Sequence, residues 1–218
     1  MRLAPEGIPI LIAAAGFAVI CAVLALLWGG KTAVWIVPLS FILLLFAAWF
    51  FRDPIRVAPD LPGALVAPAD GKIIEISQHE SGDYFNEDHL KISIFMSPFN
   101  VHVNYIPIGG AISDLRYNRG KFLTAFHDKA SDLNEQQYIE IDTGGRKIGC
   151  VQIAGWFARR IVCHLSKGQK VSTGERFGMI RFGSRLDLYI PGGFDLKIGH
   201  GQRVTAGETV IGVLHEKE

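Results

Sequence analysis

Three short segments of this chain carry side chains suited to proton transfer and nucleophilic attack. Val66-Ala-Pro-Ala-Asp70-Gly71-Lys72 sets a carboxylate in a Pro/Gly-rich turn that opens a strand. Ser97-Pro-Phe-Asn-Val-His102-Val-Asn104 places an imidazole inside an alternating strand. Arg181-Phe-Gly183-Ser184-Arg185-Leu-Asp187 interrupts a strand pattern with a glycine–serine step. A carboxylate, an imidazole and a hydroxyl are working groups of acid–base and covalent catalysis. Each segment also has an ordinary explanation. Asp-Gly is a common turn, a strand histidine is often structural, and a glycine in a strand often marks a bulge or close backbone approach. Taken singly, none of the three decides the matter.

The elements that must hold these residues are short strands. From about Asp53 to Glu218 the runs KIIEIS, HLKISIFM, VHVNYIPI, QYIEIDT, KIGCVQIAG, RRIVCHL, RLDLYIP and TVIGVL alternate with turn signals. That pattern predicts half-buried strands, with Thr143-Gly144-Gly145-Arg146 as a hairpin between two of them. One helical interval is expected over Thr124–Leu133, ended by Asn134-Glu135. Residues 53–218 therefore read as one mostly β (β-rich α+β) domain, long enough to bury a single core. Within it, Lys167-Gly-Gln-Lys-Val-Ser-Thr-Gly-Glu175 is answered 33 residues later by His200-Gly-Gln-Arg-Val-Thr-Ala-Gly-Glu208. This G-x-x-V-x-x-G-E echo looks like the crossed (swapped) hairpins of biotinyl- and lipoyl-carrier domains. A carrier presents a lysine at a hairpin tip, whereas the segment between these copies holds Gly183-Ser184.

The first 52 residues are of another kind. Ile8–Trp28 carries no charge over 21 residues, which as a helix spans roughly 31 Å, the thickness of a bilayer's hydrocarbon core. A second apolar run, Ala33–Phe51, contains Pro38, a kink that membrane helices tolerate. Trp28, Trp35 and Trp49 lie near the run ends, where interfacial aromatics belong. A cleaved signal peptide has a shorter apolar core and no second span. The expectation is a transmembrane helical hairpin over 1–52, with spans at about 8–28 and 33–51. Arg2, Arg52 and Arg56 flank its two ends, which puts both ends, and the following domain, on the cytoplasmic side of the inner (cell) membrane.

Charge and cysteine usage exclude some classes. With 22 basic and 21 acidic residues there is no basic excess to recruit nucleic acid. Cys21, Cys150 and Cys163 form no CxxC pair, so a disulfide-stapled secreted domain is not expected.

Taken together, the FFRDP exit from the apolar region, NVHVN, GKFLTAFHDKAS followed by NE, GERFGMIRFGSR and the terminal turn-and-strand segment resemble, in order and spacing, the phosphatidylserine decarboxylase family. The likeness is to its short bacterial and archaeal form, and it covers essentially the whole chain. The resemblance implies a pyruvoyl-dependent carboxy-lyase that makes its own cofactor. Ser184 would attack the carbonyl carbon of Gly183, turning the amide into an ester, and β-elimination would release residues 1–183. The dehydroalanine left behind would rearrange and lose ammonia, leaving a pyruvoyl group at the start of a 35-residue chain, 184–218. That group forms a Schiff base with the amine of phosphatidylserine and accepts the electrons released with CO₂, the role pyridoxal phosphate plays elsewhere. The product is phosphatidylethanolamine. No metal and no external cofactor are needed, and the two cleavage products remain as a heterodimer, with a homo-oligomer through an exposed sheet edge compatible. The resemblance also makes Asp70 and His102 the candidates for activating Ser184, in the acid–histidine–serine logic of hydrolases.

The chain departs from the longer family members in two places. They carry a second histidine three positions after the first, where this chain has Tyr105, and Thr after the Gly-Ser step, where this chain has Arg185. Tyr105 leaves the base for self-cleavage open, with His164 as a spare candidate. Arg159, Arg160 and Lys121 have the chemistry to bind a headgroup phosphate or carboxylate, but read equally as surface charges. Competing readings are the same reaction on archaetidylserine, a membrane-tethered carrier or binding module, and a structural membrane protein whose chain stays intact.

Overall fold

The first fifty residues fold as their apolarity dictates. In the computed structural model, which describes residues 2–30, 33–79, 88–120, 134–155, 160–181 and 184–215, α1 spans Ile8–Trp28 and α2 spans Ala33–Phe50. Gly29 ends α1 with φ of 60°, and its N–H closes the last turn on Ala25 O at 3.0 Å. Pro38 lies inside α2, where Ser40 Oγ donates to Val37 O at 2.7 Å. Leu, Ile, Phe and Trp side chains face outward from both helices, Leu26 being 87 % exposed, and both are long and apolar enough to cross a membrane. Beyond the helices, β1 (Arg2–Leu3) pairs antiparallel with β2 (Arg52–Asp53), so the residues entering and leaving the hairpin lie side by side. The Arg52 guanidinium sits 3.9 Å over the Trp49 ring and donates to Trp49 O at 2.8 Å. These elements belong to one unit, Met1–Ile55, and the remainder, Arg56–Glu218, forms a second.

The second unit is built of strands. They are β3 (Ala64–Val66), β4 (Gly71–His79), β5 (His89–Met96), β6 (Val103–Tyr105), β7 (Gly110–Asn118), β8 (Gln136–Thr143), β9 (Arg146–Ala154) and β10 (Ile161–Cys163), then β11 (Lys170–Val171), β12 (Arg176–Ile180), β13 (Ser184–Pro191), β14 (Phe194–Leu196), β15 (Arg203–Val204) and β16 (Val210–Leu214). An eight-stranded sheet runs β11-β7-β8-β9-β13-β5-β4-β15, and two three-stranded sheets run β10-β12-β6 and β14-β16-β3, all antiparallel. Period-two patterning explains the packing. Along β13, Leu186, Leu188 and Ile190 join the main core with Ile92, Ile94, Ile148 and Cys150, while Arg185, Asp187 and Tyr189 point to the other face. The mostly β domain and the N-terminal helical hairpin expected from the sequence are both present. The helical interval expected at Thr124–Leu133 lies outside the described residues.

The strand orders read the same under one exchange: β3 with β6, β4 with β7, β5 with β8, β13 with β9, β14 with β10, β15 with β11, and β16 with β12. The domain is thus two similar halves about a pseudo-two-fold axis between β9 and β13. The repeated turns match in detail. Gly168 and Gly201 have φ of 83° and 82°, and their N–H groups donate to Ile112 O and Ile73 O, both at 2.8 Å. Gly174 and Gly207 have φ of 74° and 73° and donate to Ile106 O and Ala67 O, again at 2.8 Å. The echo of 167–175 in 200–208 is therefore the visible part of a duplication of the whole half, wider than two carrier hairpins.

The halves differ in connection. In one, β8 and β9 are joined by the tight turn at Gly144 and Gly145, φ 63° and 81°, with Thr143 paired to Arg146. In the other, Met96 pairs with Ser184 at the corresponding place, and β6 to β12 lie between them in the chain.

Candidate active site

Ser184 opens β13, the strand bonded on both sides, to Met96 of β5 and to Ala154 of β9. It is fully buried, and its Oγ has no hydrogen-bond partner among the described residues. A buried hydroxyl left in that state costs about 1–3 kcal/mol, so the fold holds it there against its own stability. Gly183, the other side of the expected cleavage step, lies outside the described residues.

His102 lies on the approach to β6, beside the end of β12. Val103 pairs with Met179 of β12, and Met96, at the other end of the segment that holds His102, pairs with Ser184. The Ile180 N–H donates to His102 O at 3.2 Å. A rigid turn shapes the approach: Asn100 N donates to Ser97 O at 3.0 Å, while Ser97 N and Oγ donate to Asn100 Oδ1 at 2.9 and 2.7 Å. His102 is fully buried, with Nδ1 3.0 Å from Asn100 O. A carbonyl only accepts, so Nδ1 carries the proton and Nε2 is the acceptor nitrogen of the neutral ring.

Asp70 ends the turn before β4, and β5 lies between it and Ser184. Lys72 pairs with Phe95, and Phe95 with Arg185, so Asp70 leads into a strand two places across the sheet from that of Ser184. Its carboxylate takes a two-pronged contact from Arg56 Nη2, 3.1 Å to Oδ1 and 2.9 Å to Oδ2, and a 2.8 Å bond from the Ala206 N–H. Arg56 also reaches Glu208 Oε2 at 3.4 Å. Tyr105, at the second-histidine position of the longer forms, is buried beside the same turn, its N–H donating to Pro68 O at 3.0 Å. His164 is exposed after β10 and Arg160 is exposed before it, whereas Arg159 and Lys121 lie outside the described residues.

The two faces of β13 are unlike. Behind the strand, Arg185 Nη2 donates to Asp187 Oδ2 at 3.0 Å, with Nε 2.9 Å from Oδ1 at an angle too bent for a hydrogen bond. Lys91 Nζ lies 3.9 Å from Asp187 Oδ2 and 3.1 Å from Glu75 Oε2. Burial alone would raise the Glu75 carboxyl; bonds from Ser77, Lys91 and Ser93 and the Lys91 charge outweigh it, and the pKa falls below its ordinary value. On the Ser184 face stand Met96, Asn104 and Gln152, all fully buried, with Gln152 Nε2 donating to Asn104 Oδ1 at 2.9 Å and Asn104 Nδ2 reaching Met96 Sδ at 3.8 Å. Burial pushes the thiol of Cys150, further along that face, well up, which makes it an inert core residue.

Arg56, Asn104 and Gln152 were missed in the sequence. Arg56 reads there only as a charge flanking the apolar region. Gln152 had a usable signal: in the inward series Ile148, Cys150, Gln152, Ala154 it is the one polar residue.

Comparison with known proteins matches this arrangement to a family. The profile of phosphatidylserine decarboxylase matches residues 43–212. A phosphatidylserine decarboxylase proenzyme of Chlorobaculum tepidum is 42% identical over 212 residues, 97% of this chain and 98% of that one. Proenzymes of the same name from Citrifermentans bemidjiense and Desulfotalea psychrophila are 45% identical (97% of this chain, 96% of theirs) and 48% identical (80% and 83%). The chain belongs to the phosphatidylserine decarboxylase family.

Proposed function

We propose that this chain is a carboxy-lyase that converts phosphatidylserine to phosphatidylethanolamine after cutting itself between Gly183 and Ser184. The observation that carries this is a buried, unpartnered Ser184 hydroxyl at the start of a central strand, in a chain matched along its length by decarboxylase proenzymes. In self-cleavage the Ser184 Oγ attacks the Gly183 carbonyl carbon. His102, with Nδ1 tied to Asn100 O, offers Nε2 as proton acceptor or donor, and Asp70, fixed by Arg56 and the Ala206 amide, stiffens the turn beside it.

The surroundings of residue 184 fit a pyruvoyl group. That group has one heavy atom fewer than the seryl residue it replaces, so it needs no new space, and an amide with an unmade bond stands on the same face. Once formed, a pyruvoyl group supplies an electrophilic ketone and an electron sink for decarboxylation. The protein's own tasks are to seat the headgroup against residue 184, exclude water, and return a proton through His102. Because β13 is bonded to β5 and β9 on either side, the short product 184–218 stays in the sheet of the long one. The lipid substrate gives the apolar helices a purpose: α1 and α2 cross the membrane as a hairpin and hold the β domain at its cytoplasmic surface.

The deciding experiment is the denatured mass of the purified protein. Two chains, the shorter beginning at residue 184 and about 17 Da lighter than a serine start requires, is the expected result. One intact chain in a preparation that still decarboxylates phosphatidylserine overturns the mechanism.

A further inference from the structure

The amide of Gln152 is the second buried polar group on the Ser184 face with an unmade bond. Gln152 sits on β9 opposite Leu186, next along the face from Ala154, which is opposite Ser184. Side chains so placed are diagonal neighbours, with Cβ atoms within about 8 Å. The direction of the amide is set by a chain of contacts. The Met96 thioether is only an acceptor, so Asn104 turns Nδ2 toward it; Asn104 Oδ1 then receives Gln152 Nε2. What remains is Gln152 Oε1, buried and without a hydrogen-bond partner among the described residues.

A leucine would suit this position better for stability alone. Its neighbours on the face are Cys150, Ala154, Leu186 and Leu188, all in the core. An orphaned amide oxygen there costs about 1–3 kcal/mol, and buried acceptors in that condition point to a ligand that completes them.

We propose that Gln152, oriented by Asn104, accepts a hydrogen bond from the α-amino group of the phosphatidylserine headgroup as it meets residue 184, and so selects for a primary amine at that point. The proposal rests on residue 184 being the reacting centre. An amide suits the task better than a carboxylate. A buried carboxylate would hold the amine as ammonium, which has no lone pair for attack on a carbonyl, whereas a neutral oxygen orients the amine with far less bias toward its charged form. Asn104 is a positioning residue: it acts on the headgroup only through Gln152.

The test is Gln152→Leu in the full-length protein, read in three ways. Intact mass should show the same two chains as wild type, because the substrate takes no part in self-cleavage. kcat/KM for phosphatidylserine should fall ~10- to 100-fold, the range of a hydrogen bond to a charged or strongly polar partner, and chiefly through KM, since the contact is made in the ground state. Borohydride capture of phosphatidylethanolamine on the short chain, followed by mass, should need a correspondingly higher lipid concentration for half-saturation. Gln152→Glu should not recover the loss, because its carboxylate would hold the amine as ammonium and could not donate to Asn104 Oδ1. Asn104→Leu should raise KM as Gln152→Leu does, and the double variant should be no worse than either alone.

A processed Gln152→Leu protein with kcat/KM within two-fold of wild type overturns the proposal. So does loss of processing in both Gln152→Leu and the near-isosteric Gln152→Met, because the amide would then be needed before any substrate arrives. A wild-type protein that stays a single chain overturns instead the reading of residue 184 on which the inference stands.

Discussion

The two halves of the β domain share strands, turns and register but divide the candidate chemistry unequally: Asp70 and Ser184 belong to the first, His102, Asn104 and Gln152 to the second. Asp70 of the first half corresponds to Gly109 of the second, and Ser184 to Arg146, through the pairings Met96–Ser184 and Thr143–Arg146. Gly109 N–H donates to Thr173 Oγ1 at 2.8 Å, a neutral contact where Asp70 takes Arg56 and an amide. Arg146 Nη1 donates to Gly193 O at 2.7 Å near solvent, where Ser184 is sealed and unpartnered. The framework is therefore indifferent to catalysis. At these positions one half has a carboxylate and a buried hydroxyl, and the other a neutral turn and a hairpin tip closed by two glycines.

That contrast can be broken hardest at its centre. Ser184→Ala should leave a single uncut chain with decarboxylation at background, whereas Arg146→Ala, its counterpart, should cut normally and lose about 1 kcal/mol of stability. Denaturing gels and product assays on the pair decide it, and a cut Ser184→Ala protein would sink the assignment. Next in size is Asp70→Gly, which turns the first half's turn into a copy of the second. We expect self-cleavage to slow ~10²-fold or more, in the range of losing a group that supports general base catalysis. A pulse–chase of precursor and product measures this, and an unchanged rate would leave Asp70 with no part in processing.

Stability changes come third. Asp187→Ala strips the buried Arg185 guanidinium of its partner and should cost about 3–5 kcal/mol in urea unfolding of the uncut Ser184→Ala chain, where both forms stay comparable. Fourth, the halves differ in acid sensitivity. Glu75 and its counterpart Asp114 both titrate below their ordinary values, Glu75 against burial through its bonds to Ser77 and Lys91, Asp114 mainly through its bond from Arg116. A depressed carboxyl stabilises the fold above its unfolded pKa, and that contribution is lost as pH falls through the lower folded one. The acid limb should therefore steepen below the ordinary values of 4.5 and 3.8. Glu75→Gln should flatten it more than Asp114→Asn, because the Arg116 partner of Asp114 is half exposed and screened. Equal effects in unfolding curves across that range would contradict the ranking. The smallest effect belongs to Gly144→Ala in the closed hairpin. Nothing lies within 4 Å of the added Cβ, so only the φ of 63° resists it, at about 1 kcal/mol.

Much of this was legible in the sequence because it rests on local patterns. Alternation gave the strands, uninterrupted apolarity gave the two helices, and Thr143-Gly144-Gly145-Arg146 gave its hairpin. The duplication showed only where glycines with positive φ forced the same residues twice, at 167–175 and 200–208. Elsewhere the halves keep the same hydrogen bonds with different side chains, and backbone pairing leaves no letter behind. The site divides in the same way. Asp70, His102 and Ser184 stood out in motif-bearing turns and strand ends. Arg56 reaches Asp70 across 14 residues and Asn104 reaches Gln152 across 48, distances over which no periodicity runs. Gln152 needed the inward face of β9 to be known before its polarity became informative.

The hairpin that the first half leaves open also fixes an order of events during synthesis. Both strands that flank β13 emerge from the ribosome before it, but β15 and β16, with the Ala206 amide that holds Asp70, are made after it. A nascent chain that has just exposed Ser184 still lacks the piece that sets the aspartate. In the proposed mechanism the cut waits for that segment to fold into place, and a precursor truncated just before Ala206 should stay uncut.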